Sequence, residues 1–336
     1  MKNRLTLLIG LAFLAASGKP GAAQESKKKL AQTGFQFLSV ISNAKAAGMA
    51  GAVNSLELGS GSLFFNPAGM AGMDSRFEAT ASLNQWIASM KHLTFSTALN
   101  LSPRTKSLGV LGLTVQSVDY GEILATMVAD NDQGYVDLGT FQPSAISVGI
   151  GYAKMLSDRF SVGGQVKFVR QDIGESFVPV SGDSLTEKRS YNLAPMAFDF
   201  GTLFKTGFHS LAFGMSVRHF SKEVKYVEEG FQLPLVFTIG ISMDLMDFAE
   251  QMKPKHSLVL SVDATHDRSY PEQLMIGINY SLMKILMLRA GYITGDDEEK
   301  FSYGFGVSKY GLDLDYGYTP FGLLGNVQRM TARFTY

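Results

Sequence analysis

The chain has 336 residues with 30 basic and 30 acidic side chains, a formal net charge of zero and no cysteine. The charge balance argues against a nucleic-acid partner, and the missing cysteine excludes a disulfide framework or a lipid-bearing cysteine behind a leader. Hydrophobic residues make up 46% and charged residues 18%, which is apolar for a secreted protein. Yet the apolar residues are dispersed in alternation, and none of the later segments reaches the ~20 continuous apolar residues of a spanning helix.

The amino terminus carries Lys2 and Arg4, an uncharged run over 5–16, then Gly18, Pro20, Gly21, Ala22 and Ala23. This order of charged, apolar and small residues predicts a secretory signal peptide over 1–23, cut after Ala23 or Gln24. A second segment is expected over 24–75. After a short basic stretch at 25–29, residues 35–73 are rich in Ala and Gly, lack a strand repeat and end in Leu63, Phe64, Phe65, Asn66, Pro67, Ala68, Gly69 and Met70. Small residues in a compact segment suit a plug folded into a lumen, with Phe64, Phe65, Asn66, Pro67 and Gly69 as its motif. The alternative is a periplasmic tail ending in an Asn-Pro turn, since Pro67 fixes its own φ and keeps Asn66 extended.

From residue 76 to 336 the pattern has period two, and about fourteen strands are expected. The clearest outward faces are Phe77, Ala79, Ala81 and Leu83; Leu93, Phe95 and Leu99; Ile146, Val148, Ile150 and Tyr152; and Phe160, Val162, Val166 and Phe168. They continue with Leu211, Phe213, Met215 and Val217; Leu235, Phe237, Ile239 and Ile241; Leu274, Ile276, Ile278 and Tyr280; and Leu286, Leu288, Ala290 and Tyr292. Phe301, Tyr303, Phe305 and Val307 precede Leu312, Leu314, Tyr316 and Tyr318. The interleaved residues are mostly small, polar or charged. A soluble sandwich also alternates, so the connections must decide. Turns near 103–106, 156–159, 205–209, 283–284 and 309–311 are short, whereas gaps at 118–142 and 171–191 are long. That parity fits a membrane barrel with periplasmic turns and outer loops. At 244–256 Leu245, Met246, Phe248, Ala249 and Met252 are spaced as a short amphipathic helix. The fold class expected is all-β: a transmembrane antiparallel barrel of about 14 strands with an N-terminal luminal plug, patterned as an outer-membrane barrel.

The last strand alternates Met330, Ala332, Phe334 and Tyr336 with Arg329, Thr331, Arg333 and Thr335. Phe334 and the terminal Tyr336 have the form of a signal for barrel-assembly machinery. Lys167, Arg289, Asp313, Asp315, Arg329 and Arg333 fall on inward faces. Asp313 and Asp315 facing Arg329 and Arg333 would form a lumen charge network that stabilises closure, because unpaired buried charge is costly; a polar translocation path is the alternative. Catalysis has little support: His92, His209, His219, His256 and His266 stand apart, with no metal-ligand spacing, serine elbow or phosphate loop. Asp296, Asp297, Glu298 and Glu299, like Asp130 and Asp132, read as solvated loops before metal ligands. No cofactor and no metal site are expected.

Residues 45–72, KAAGMAGAVNSLELGSGSLFFNPAGMAG, and 288–329, LRAGYITGDDEEKFSYGFGVSKYGLDLDYGYTPFGLLGNVQR, resemble the two ends of the PorV/PorQ family of outer-membrane barrels, distant relatives of the FadL fatty-acid channels. The resemblance implies a barrel in the outer membrane of a Gram-negative cell that takes secreted cargo by its carboxyl-terminal signal domain in type IX secretion and passes it to surface attachment. Expected partners are outer-membrane lipid, the assembly machinery, cargo proteins and secretion components. The alternative function is a FadL-like carrier of a hydrophobic small molecule, a lipidic ligand lined by Phe64, Phe65 and Met70 beside Asn66 and Pro67.

Overall fold

The computed structural model describes residues 33–105, 107–179, 186–249, 251–295 and 300–336. The leader expected over 1–23 and the acidic run 296–299 lie outside the described residues. Among those described, fourteen antiparallel strands pair in chain order: β1 (Phe77–Gln85), β2 (Lys91–Asn100), β3 (Val110–Asp119), β4 (Ser144–Ser157), β5 (Phe160–Pro179), β6 (Met196–Lys205) and β7 (Ala212–Phe220). They continue as β8 (Val236–Asp244), β9 (His256–Asp267), β10 (Gln273–Leu282), β11 (Leu286–Ile293), β12 (Phe301–Lys309), β13 (Leu312–Pro320) and β14 (Asn326–Thr335). Strand β14 then pairs back onto β1, from Glu78 opposite Thr335 to Gln85 opposite Gln328, and closes the barrel. Closure removes the free sheet edges that would otherwise leave backbone groups unpaired in lipid.

Alternation puts the apolar set outside. Leu93, Ile150, Phe305 and Met330 are 56%, 63%, 53% and 56% exposed, while their inward neighbours Thr94, Gly149, Gly304 and Arg329 turn to the lumen. A wall of large apolar side chains facing outward all round the barrel is the reverse of a soluble core and belongs in hydrocarbon.

The turns at 103–105, 156–159, 205–209, 283–284 and 309–311 share one end of the barrel with the start of β1 and the end of β14. At the opposite, outer end the connection after β3 is a hairpin of Ile123–Val128 on Tyr135–Phe141, and β5 runs on to pair with Thr186–Leu193. The amphipathic helix expected at 244–256 is corrected to one 3-10 turn, Leu245–Phe248. Asp244 caps it by accepting from Met246 N at 2.9 Å, and Asp247 is drawn sideways by Ser210 N at 2.8 Å. One turn does not recover the cost of helix nucleation, and Pro254 follows too soon for extension.

Residues 33–73 fold into the lumen in short turns: Gln36–Ser39, the helical turn α1 (Ala44–Ala47), Gly59–Phe64 and Pro67–Met70. They bond to strands on every side. Ala44 N donates to Thr331 Oγ1 at 2.8 Å, Ala50 N to Ser302 Oγ at 2.9 Å, Asn54 N to Asp263 Oδ2 at 2.8 Å and Ser60 N to Glu78 Oε1 at 2.7 Å. The wall admits this backbone through a girdle of inward glycines paired across neighbouring strands: Gly112 with Gly151, Gly163 with Gly201, Gly214 with Gly240, Gly277 with Gly291 and Gly304 with Gly317. A Cβ on Gly163 would lie 2.5 Å from Pro67 C, one on Gly277 2.7 Å from Met49 O and one on Gly317 2.9 Å from Ala44 O. The small residues on both sides therefore have one physical cause, the close approach of plug backbone to barrel backbone.

Candidate functional site: the plugged lumen and its outer chamber

Asn66 joins the plug motif to the wall. Its backbone is extended (φ −137°, ψ 103°) with Pro67 as first residue of the next turn, and its Oδ1 accepts from Ala68 N at 3.1 Å. Its Nδ2 donates to Asn54 O at 2.8 Å and Thr202 O at 2.9 Å. Gly69 is pressed against the plug itself, since a Cβ there would lie 2.8 Å from Leu56 O. Of the apolar residues expected around a ligand, Phe65 reaches the large cavity described below, and Phe64 lines only a small neighbouring one. Met70 instead packs with Leu63, Ala71 and Met73 against the wall residues Ala98, Val110 and Ala153, and Asn66 and Pro67 lie outside both cavities.

The inward charges separate into two groups. Arg333 chelates Asp313 through Nε at 2.7 Å and Nη2, with Glu78 Oε2 at 3.7 Å from its Nη1. Arg289 Nη1 meets Asp315 Oδ1 at 2.6 Å while its Nε donates to Asn279 Oδ1 at 2.9 Å. Lys45 of the plug lies among these groups; burial, then Arg333 and Arg289, push its ammonium down to about 8. Arg329 is drawn elsewhere: Nε donates to Ile41 O at 2.7 Å, Nη1 to Thr319 Oγ1 at 2.6 Å, and the guanidinium stands 5.3 Å over the Trp86 ring. Register explains the split, because Gly317 opposes Arg329 while Asp313 opposes Arg333.

Above the plug, in the outer half of the lumen, lies a chamber of about 710 Å³. Phe35, Phe37, Phe65, Trp86, Tyr226 and Phe321 give it ring walls, Ile41, Ile173, Val236 and Met275 add aliphatic surface, and Arg218, Arg329, Asp263 and Asp267 supply charge. Its surface is mostly apolar, with polar and charged side chains set between the rings, and this size and mix suit a small organic ligand. Its rim is aromatic too: Phe231 stacks on Phe35 at 6.3 Å and on Tyr226 at 5.3 Å. Burial raises the Tyr120 hydroxyl to about 12 although Gln171 bonds to it, so the rim stays neutral there. Beside the chamber, β7 carries a β-bulge: Val217 opposes Phe200 but Phe220 opposes Phe198, and His219 adopts φ +61°. Arg218 and His219 both turn inward. Lys167 Nζ lies 2.6 Å from Asp199 Oδ2 and donates to His219 Nδ1 at 2.7 Å, and His219 N donates to Asp199 Oδ1 at 2.7 Å.

The architecture has solved counterparts. The chain superposes on the Ralstonia pickettii toluene transporter TbuX with TM-score 0.58 and 10% identity, over 89% of this chain and 99% of that one. A Pseudomonas aeruginosa FadL homologue gives 0.55 and 12% over 88% and 98%, and the CymD monoaromatic hydrocarbon channel 0.56 and 11% over 88% and 97%. The fold is that of the FadL-type barrels. No protein-family model and no curated protein matches the chain.

Sequence reasoning placed Lys167 on the inward face but missed Asp199, Arg218, Trp86 and Asp263, and treated His92 and His219 as isolated. One signal was available: the apolar series Phe213, Met215, Val217 skips to Phe220, a change of parity that only an extra residue in the strand produces. For Trp86, His92, Thr319, Phe321 and Arg329 no local signal exists, because pairing of β1 with both β2 and β14 is what brings the hairpins after β1 and β13 together.

Proposed function

We propose that this barrel resides in a Gram-negative outer membrane and takes up a hydrophobic small molecule into the chamber between its plug and its outer wall. The carrying observation is the ring-lined chamber of about 710 Å³, in a lumen whose other half is packed with the plug. Support comes from the fold shared with a toluene transporter and a monoaromatic hydrocarbon channel. The role is transport, not catalysis. Outward-facing Phe334 and Tyr336, with Tyr336 N bonded to Phe77 O at 2.9 Å, remain the proposed handle for assembly machinery.

Trp86 is the chain's one tryptophan and lines the chamber, so its emission reports occupancy. Protein in nanodiscs is titrated with 4-bromotoluene and 1-bromodecane, whose bromine quenches indole on contact. Saturable quenching of Trp86 supports the reading; quenching that only tracks a lipid-facing control, Leu99→Trp in a Trp86→Phe background, refutes it. A second reading, shuttling of secreted cargo as in PorV-like proteins, draws on the resemblance of residues 45–72 and 288–329. Gene deletion with quantitative proteomics tests it: periplasmic accumulation of proteins sharing a carboxyl-terminal signal domain supports the shuttle, and unchanged secretion removes it.

A further inference from the structure

We infer that Arg218 and Phe65 form a latch across the floor of the chamber, and that a hydrophobic molecule moves deeper into the lumen by displacing this pair. The inference rests on the transport reading above. Below the chamber is a second cavity, constricted to about 20 Å³, that reaches Thr94 of β2 and Gln116 of β3. The two spaces share Ser39, Val40, Ile41, Phe65 and Arg218 as lining residues. They are thus divided by a single layer of plug and one arginine from the wall.

Three features make that layer a latch. Arg218 Nη1 donates to Phe64 O at 2.7 Å and its guanidinium lies 6.0 Å from the centre of the Phe65 ring, so one side chain holds both halves of the Phe-Phe pair. The bulge aims it: an extra residue in β7 turns Arg218 and His219 inward together, a device that strands use to redirect a side chain. The strained His219 backbone is secured by Lys167 and Asp199, all three nearly fully buried. A left-handed backbone at a non-glycine residue persists only where its surroundings enforce it. The plug is also unevenly anchored. Wall glycines press on Ala44, Gly48, Met49, Asn54 and Pro67, whereas among the described residues none presses on 39–43. Side-chain bonds to carbonyls hold it instead, Arg329 Nε to Ile41 O at 2.7 Å within the stretch and Gln116 Nε2 to Phe37 O at 2.8 Å just before it. Ser39, Val40 and Ile41, which line both cavities beside the latch, thus belong to the part of the plug that wall glycines leave free, while Phe65 itself adjoins the anchored Asn66 and Pro67.

The absence of native cysteine permits a direct test. Phe65→Cys with Arg218→Cys, and separately Ser39→Cys with Thr94→Cys, are bridged by a short bis-thiosulfonate, with bridging verified by mass. Uptake of radiolabelled toluene by cells and quenching of Trp86 by 4-bromotoluene are measured before and after reduction. The expected result for both pairs is uptake at least about fivefold slower when bridged and restored on reduction, with Trp86 still quenched in the Ser39/Thr94 protein, whose chamber rings are unchanged. Unchanged uptake in both bridged proteins, with Trp86 quenched, overturns the latch and leaves the transport reading standing. Absence of saturable quenching in the unmodified protein overturns the transport reading and the latch with it. The second pair leaves Arg218 and Phe65 in place, so a folding defect in the first does not remove the test.

Discussion

Adjacent glycines on β5 separate plug contact from strand propensity. Gly163 faces the lumen, and a Cβ there would lie 2.5 Å from Pro67 C, 2.6 Å from Ala68 N and 2.7 Å from Pro67 O, all backbone atoms. Restoring an ordinary 3.4 Å contact moves Pro67 by about 0.9 Å. That displacement carries Asn66 with it, whose bonds to Asn54 O and Thr202 O, at 2.8 and 2.9 Å, cannot both stretch so far and survive. Overpacking costs about 1–3 kcal/mol and each lost hydrogen bond about 0.5–1.5 kcal/mol, so Gly163→Ala is expected to destabilise the seated plug by about 2–5 kcal/mol. Gly164 faces outward, and the nearest atoms to its Cβ would be Asp199 O at 3.5 Å and Phe200 Cδ1 at 3.8 Å. Gly164→Ala should therefore be neutral or gain about 0.5–1 kcal/mol from reduced backbone freedom. Limited proteolysis with mass detection of cuts within 33–73, together with the thermal midpoint in detergent, reads both variants. Equal protection of the plug in the two alanine proteins would refute the account of the glycine girdle.

At the closing seam, Arg333→Gln and Asp313→Asn should each cost about 1–3 kcal/mol, and the double variant less than their sum, because either single change strands a partly buried charge; additive midpoints in a double-mutant cycle would count against pairing across β13 and β14. Lys45 supplies a pH signature. With its ammonium at about 8 in the seated plug against the ordinary 10.5, the unfolded chain binds more protons between those values, so stability rises with pH through that window and is lower by a constant amount below it. The gain is on the order of 1–3 kcal/mol. The thermal midpoint of the native protein should climb more from pH 7.5 to 9.5 than that of Lys45→Met, which should start higher; parallel curves would dismiss the effect. On the lipid side, Ile150→Lys in mid-β4 should cost about 2–4 kcal/mol and Leu156→Lys near the turn about 0–1 kcal/mol, measured as the fraction folded into vesicles. Equal penalties would speak against hydrocarbon outside the wall.

Much of the wall was legible because period two depends only on the pleat: Leu83, Leu93, Ile150, Phe237 and Phe305 all point where alternation puts them. Alternation fixes a side chain's face but not its depth or its opposite number. Arg329 was grouped with Asp313 and Asp315 on that ground, whereas the register sets it against Gly317 and within reach of Ile41 and Trp86. The small residues of the plug announced close packing, yet the partner glycines lie on strands up to about 270 residues away in the chain. The chamber was illegible for the same reason: it is the space left where plug residues 34–41 and the outer halves of many strands fail to meet, a property of assembly with no local pattern.

The most direct test of the central claim is the anomalous bromine signal in crystals soaked with 4-bromotoluene. A peak inside the barrel, between Trp86 and Phe65, is the result expected of a lumen that receives hydrophobic molecules from outside. Bromine found only on the outward face, among residues such as Leu93, Phe305 and Met330, would contradict it.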